Sequence, residues 1–111
     1  METQAVLATL AALAQESRLA IFRYLVQVGP EGRAASKIGE HLHIAPSSLS
    51  FHLKELTHAS LITHRQEGRF VIYTANYAVM NQLLGFLTEN CCGGNLCSPA
   101  SPCSEPTATT H

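Results

Sequence analysis

The sequence predicts a mainly α-helical domain carrying one β-hairpin, in the order ααααββα. Three observations predict it. Apolar residues recur at helical spacing in five separate segments, β-branched and aromatic residues crowd around Glu67-Gly68, and no apolar run approaches the roughly 20 residues of a membrane span. At 111 residues the chain has room for one core. We expect a folded unit over 1–89 and a tail over 90–111.

The first helix is expected over 3–14, where Val6, Leu7, Leu10 and Leu13 make one apolar face. The second spans 16–28 with Leu19, Phe22, Leu25 and Val26 on one side, and Gly29-Pro30-Glu31-Gly32 stops it. A short third helix at about 35–42 carries Ile38 and Leu42 as its apolar pair. Pro46 suits a first helical turn and pushes Ala45 out of the α region, so a fourth helix is expected over about 47–58. It turns Leu49, Leu53 and Leu56 inward and leaves Ser48, Phe51, His52 and Glu55 on other faces. Residues 61–66 and 69–74 then read as two strands joined at Glu67-Gly68, with Gly68 at positive φ. The last helix, about 76–89, presents Val79, Met80, Leu83, Leu84 and Leu87 as a broad stripe. From Asn90 onward the chain is rich in Gly, Ser, Pro and Thr, too poor in apolar residues to fold by itself.

A short helix, a tight turn, a second helix and a hairpin make the winged helix-turn-helix pattern, which points to double-stranded DNA. The net charge of −1 does not oppose this, because a phosphate-binding footprint is local. Lys54, Arg65 and Arg69 cluster with His52, His58 and His64 in one short stretch. At the start of the fourth helix, Ser47 and Ser48 offer hydroxyls and free backbone N–H groups to a phosphate. Ser50, Phe51, His52 and Lys54 extend the exposed side, with Phe51 suited to a thymine methyl group. The alternative is that Ser47 caps the helix and the other serines are merely solvated. Arg65, Gln66 and Arg69 around Gly68 suit a minor groove or its backbone, the alternative being charges that blunt an edge strand.

All four cysteines, Cys91, Cys92, Cys97 and Cys103, fall in the last 21 residues. A disulfide framework would thread its cysteines through the fold, whereas thiols gathered in a tail favour metal or redox chemistry. They follow the end of a helix, where the dipole works against a thiolate, so a thiol enzyme is not expected. The start METQAVLATLAALAQESR lacks the basic segment of a signal peptide, so a cytoplasmic protein without membrane contact is expected.

The run Ala45-Pro46-Ser47-Ser48-Leu49-Ser50-Phe51-His52-Leu53-Lys54-Glu55-Leu56, followed by Leu61-Ile62 and Glu67-Gly68-Arg69, resembles the recognition helix and wing of the arsenic-repressor (ArsR/SmtB) family. Gln15-Glu16-Ser17-Arg18-Leu19-Ala20-Ile21 resembles that family's second-helix opening. The resemblance covers about residues 5–89. It implies a homodimer on a palindromic operator, joined through the first and last helices, and a repressor released by a metal or metalloid.

Two effector sites common in that family are missing here. The third-helix segment Ser36–Ile44 has no cysteine, and the last helix, Asn76–Glu89, has no His or Asp. His41 and His43 read as structural or solvated. What remains is the tail. Glu89-Asn90-Cys91-Cys92-Gly93-Gly94 resembles a subset of arsenite-responsive members. As(III) takes three sulfur ligands in a pyramid, and soft thiolates select soft ions. Cys91 and Cys92 would supply two, with Cys97 or Cys103 the third. Sb(III) has the same demand. Other soft metals (Cd, Pb, Zn) and a thiol redox switch are alternatives, though adjacent cysteines are unlike usual zinc spacing.

Overall fold

A computed structural model describes residues 1–90 and Gly93. The elements are α1 (Thr3–Leu13), α2 (Glu16–Val28), β1 (Arg33–Ala34), α3 (Ala35–Leu42), α4 (Pro46–His58), β2 (Ile62–Glu67), β3 (Phe70–Ala75) and α5 (Tyr77–Leu87). This is the expected winged helix-turn-helix with one addition, the two-residue strand β1. It pairs antiparallel with β3, Arg33 opposite Tyr73 and Ala34 opposite Ile72, so the sheet runs β1-β3-β2. Two residues carry no alternation to read. Their pairing depends on Gly32, at φ +73°, where a Cβ would collide with the Tyr73 carbonyl oxygen and approach Thr74 Oγ1 to 2.7 Å.

The helices form as their sequences dictate, with one change of face. Val6 is buried on α1, but the second buried residue is Thr9, which donates its hydroxyl to the Ala5 carbonyl at 2.8 Å. Leu7 and Leu10, expected inward, are exposed, as is Leu19 on α2. Helical spacing sets them near the apolar face, but they lie on its shoulder, beyond the elements that close the core. No single helix among the described residues is long and apolar enough to cross a membrane, and α1 and α2 bend by 101° at their junction. There Gln15 caps α2 by accepting from the Arg18 N–H at 2.9 Å.

The core joins Ile21, Phe22 and Leu25 of α2 to Ile38 of α3, Leu49, Leu53 and Leu56 of α4, and Leu61, Ile62 and Ala75 of the sheet. Burying each of the Ile, Leu and Phe side chains in it stabilises by about 1.5–3 kcal/mol. α3 and α4 meet tightly because Gly39 has no side chain, a Cβ there standing only 3.2 Å from Leu49 Cδ2. His43 ends α3 in the left-handed conformation, and the Ile44 N–H closes the turn on the Gly39 carbonyl at 3.0 Å. Asn76 anchors the sheet to α5. Its backbone N–H donates to the Leu61 carbonyl, its side-chain amide to Ser60 O, and its Oδ1 accepts from the Val79 N–H.

Candidate nucleic-acid interface

α4 begins at Pro46, with Ala45 as its N-cap and no side-chain cap. Ser47 is therefore inside the first turn rather than capping it, and it is exposed to solvent. With Leu49, Leu53 and Leu56 buried, the opposite face carries Ser47, Phe51, Lys54 and His58, spaced four, three and four residues apart. All four are exposed, and Phe51 keeps 55% of its surface. Ser48 and Ser50 flank this stripe and are also exposed. A phenyl ring left in water on a helix face, between a hydroxyl and two basic groups, is suited to the mixed polar and methyl edges of a major groove.

His52 departs from expectation. It is half-buried and turned toward α2, with Nδ1 3.4 Å from Arg18 Nη1. The reason is helical geometry: position 52 lies next to the buried Leu49–Leu56 sector, a quarter turn or more from Lys54. His58 belongs to the basic cluster of the sequence without being an expected contact, yet the spacing from Ser47 through Lys54 leads directly to it.

The wing is a two-residue hairpin. Glu67 pairs with Phe70, leaving Gly68 and Arg69 as the loop, with Gly68 at φ 63° and Arg69 without a positive φ. That signature is type II′, which calls for glycine first. Arg69 is thus at the tip, exposed, as is Phe70. Arg65 is not at the tip. It lies mid-strand, donating to Glu67, to Thr74 Oγ1 at 3.4 Å and to the Glu31 carbonyl at 2.8 Å. Its guanidinium braces the sheet against the loop before β1. Gln66 Nε2 donates to the Gly68 carbonyl at 3.0 Å and stiffens the turn.

The basic residues divide accordingly. Arg18, Arg33 and Arg65 are held by hydrogen bonds, and Lys37 stands 3.8 Å from Glu40. Arg33 is held in its charged form by its hydrogen bond from Nη1 to Glu31, which raises its pKa. Among the described residues, Arg23 on α2, Lys54 on α4 and Arg69 on the wing are in no ion pair or side-chain hydrogen bond, and all three are exposed. No group of three or more His, Cys, Asp or Glu among the described residues is arranged to hold a metal ion. Cys91, Cys92, Cys97 and Cys103 lie outside the described residues.

A helix-turn-helix domain family matches residues 13–65, which span α2 through most of β2. The chain is 37% identical over 81 residues to the arsenical resistance operon repressor of Bacillus subtilis (strain 168), covering 73% of each protein. This chain belongs to the ArsR family. It is also 34% identical over 59 residues to the transcriptional repressor SdpR of the same organism, spanning 66% of that protein's length. The ArsR fold is matched by an ArsR-like transcriptional regulator from Rhodococcus sp. RHA1, with a TM-score of 0.68, 26% identity and 76% of each chain covered. A homodimeric winged helix-turn-helix DNA-binding domain from Mycobacterium bovis, a possible ArsR-family regulator, matches with a TM-score of 0.62 at 26% identity, over 78% of this chain and 81% of that one. ArsR proteins are DNA-binding transcriptional regulators and not enzymes.

Proposed function

We propose that this chain is a homodimeric repressor that holds a two-fold symmetric operator and lets it go when tail thiolates take up As(III). The observation that carries the DNA half is the outward stripe Ser47, Phe51, Lys54 and His58 beside Arg69 at the wing tip. Ser48 and Ser50 join the stripe in contacting base edges or phosphates, while Arg65 and Gln66 shape the wing that Arg69 presents. His52 contributes through the Arg18 contact that orients α4.

Dimerisation through α1 and α5 is supported by the leucines those helices leave in water. Leu7 is 55% exposed and Leu87 is 56% exposed, with Leu10 also outward, and α1 packs against α5. The homodimeric state of the Mycobacterium bovis relative agrees with this reading. A two-fold axis would set two α4 helices in successive major grooves about 34 Å apart.

The effector half rests on the arsenical-resistance relative and on four thiols confined to the tail. Three sulfur ligands satisfy As(III): Cys91 and Cys92, with Cys97 or Cys103 as the third. The tail follows α5, so gathering these thiols strains the proposed dimer seam and thereby the spacing of the two α4 helices. A coupling of about 1–3 kcal/mol weakens DNA binding roughly 5–150-fold. The test begins by selecting a binding duplex from a random pool, then measures its affinity with and without arsenite. Wild type should lose affinity and bind one arsenic per subunit, while Cys91→Ser and Cys92→Ser should keep the duplex. Normal release by either variant would show the tail site to be wrong.

A further inference from the structure

Between α4 and the sheet lies a cleft of about 310 Å³, lined by Ser50, Lys54, Thr57 and His58 of α4 and by His64 and Tyr73 of the sheet. Three basic groups and three hydroxyls meet there, and no carboxylate is in the lining. His64 and Tyr73 are opposite one another in the β2–β3 register, so both side chains stand on the sheet face turned to α4, their rings 5.7 Å apart. Arg65 and Glu67, at alternate positions, stand on the other face and neutralise each other.

The position of the cleft decides what enters it. If α4 occupies a major groove and the wing reaches the adjacent minor groove, the sugar-phosphate strand dividing those grooves must pass between them. We propose that this cleft seats a DNA phosphate and that His58 and His64 set its charge, so that DNA is held more tightly as pH falls. Lys54 supplies the constant cation. Imidazole is the side chain that gains its charge between pH 8 and pH 5, and a doubly protonated ring offers only donors, which suits a phosphate oxygen.

The groups around the two histidines are few. Glu55 of α4 shares a second cavity with His58 and Arg18, and Glu2 at the start of α1 shares a third. Arg33, opposite Tyr73 on β1, is drawn away toward Glu31 and the Gly32 carbonyl. α3 reaches the cleft only through Ala35. The remaining α4 histidine, His52, faces Arg18 rather than the cleft.

The inference rests on the α4-and-wing docking proposed above, and the experiment separates the two. The selected duplex, fluorescently labelled, is titrated with the full chain at constant ionic strength, without metalloid, from about pH 7.5 to about pH 5.5. Wild type should bind about tenfold tighter at the acid end. The slope of log affinity against log salt should steepen there by about 0.9 for each added phosphate contact. The His58→Gln, His64→Gln double variant, whatever its absolute affinity, should vary by no more than about twofold across the range. Each single variant should lose part of the change, and His52→Gln should keep all of it. Both substituted side chains are exposed, so folding is not at stake. A wild-type profile that is flat, or a double variant that keeps the wild-type profile, overturns the cleft while leaving the docking intact. Failure of the wild-type chain to select any duplex overturns both.

Discussion

The Arg18 guanidinium reaches from α2 to within 3.4 Å of His52 Nδ1 on α4, while its Nε donates to the Ala12 carbonyl at 2.7 Å. One side chain therefore ties the last turn of α1, the first turn of α2 and the middle of α4. Arginine carries donors only, so His52 must present Nδ1 as an acceptor for the contact to stabilise. Arg18→Met keeps the apolar stem but strips the donors from a partly buried carbonyl. We expect a loss of about 1–3 kcal/mol in urea unfolding, and weaker DNA binding that persists under conditions where the variant is fully folded. Unchanged stability would show that water replaces the guanidinium without cost.

Phe51 should behave in the opposite way. Its ring is exposed and supports no core contact, so Phe51→Ala should leave stability within about 0.5 kcal/mol of wild type. Its effect should appear in binding, as a loss of about 1–3 kcal/mol that is greatest for duplexes carrying a thymine at the contacted position. A uniform loss across all duplexes would point to a helix displaced as a whole.

Two glycines, one at the wing tip and one before β1, separate strain from crowding. Gly68, at φ 63°, has open space where a Cβ would stand, with nothing within 4 Å, so Gly68→Ala should cost about 1–2 kcal/mol from backbone strain alone. Gly32→Ala adds collisions with Tyr73 O and Ile72 Cγ2 to a comparable strain, and should cost about 3 kcal/mol or more. Denaturant unfolding of the pair reads the difference directly. Equal losses would mean that β1 moves aside easily.

The exposed leucines test the dimer. Leu10→Glu and Leu87→Glu place charges on surfaces that the isolated subunit leaves in water, so each should be tolerated by the subunit fold. Both should shift sedimentation from dimer to monomer and weaken binding to a two-fold symmetric duplex by at least about tenfold, since a half-site partner is lost. A dimer unaffected by both would exclude α1 and α5 as the seam.

What the chain declares by itself is local. Helical spacing locates all five helices to within a residue or two, Gly68 marks the hairpin, and the stretch from Ala45 to Leu56 discloses α4 and the family resemblance. These follow from short-range chemistry, the period of apolar residues and the φ that glycine alone adopts freely. The tertiary structure decided matters that depend on residues far apart in sequence. It paired Arg33-Ala34 with β3, a contact too short to leave a pattern. It turned Leu7, Leu10 and Leu19 outward, because which shoulder of an apolar face is covered depends on the neighbours available. It drew His52 to Arg18 and Arg65 to Glu31, tying both into contacts within the fold, and brought His58 and His64 to one cleft between α4 and the sheet. The ααααββα order and the family were thus legible locally, while which basic side chains are held within the fold depended on the positions of partners that no local window contains.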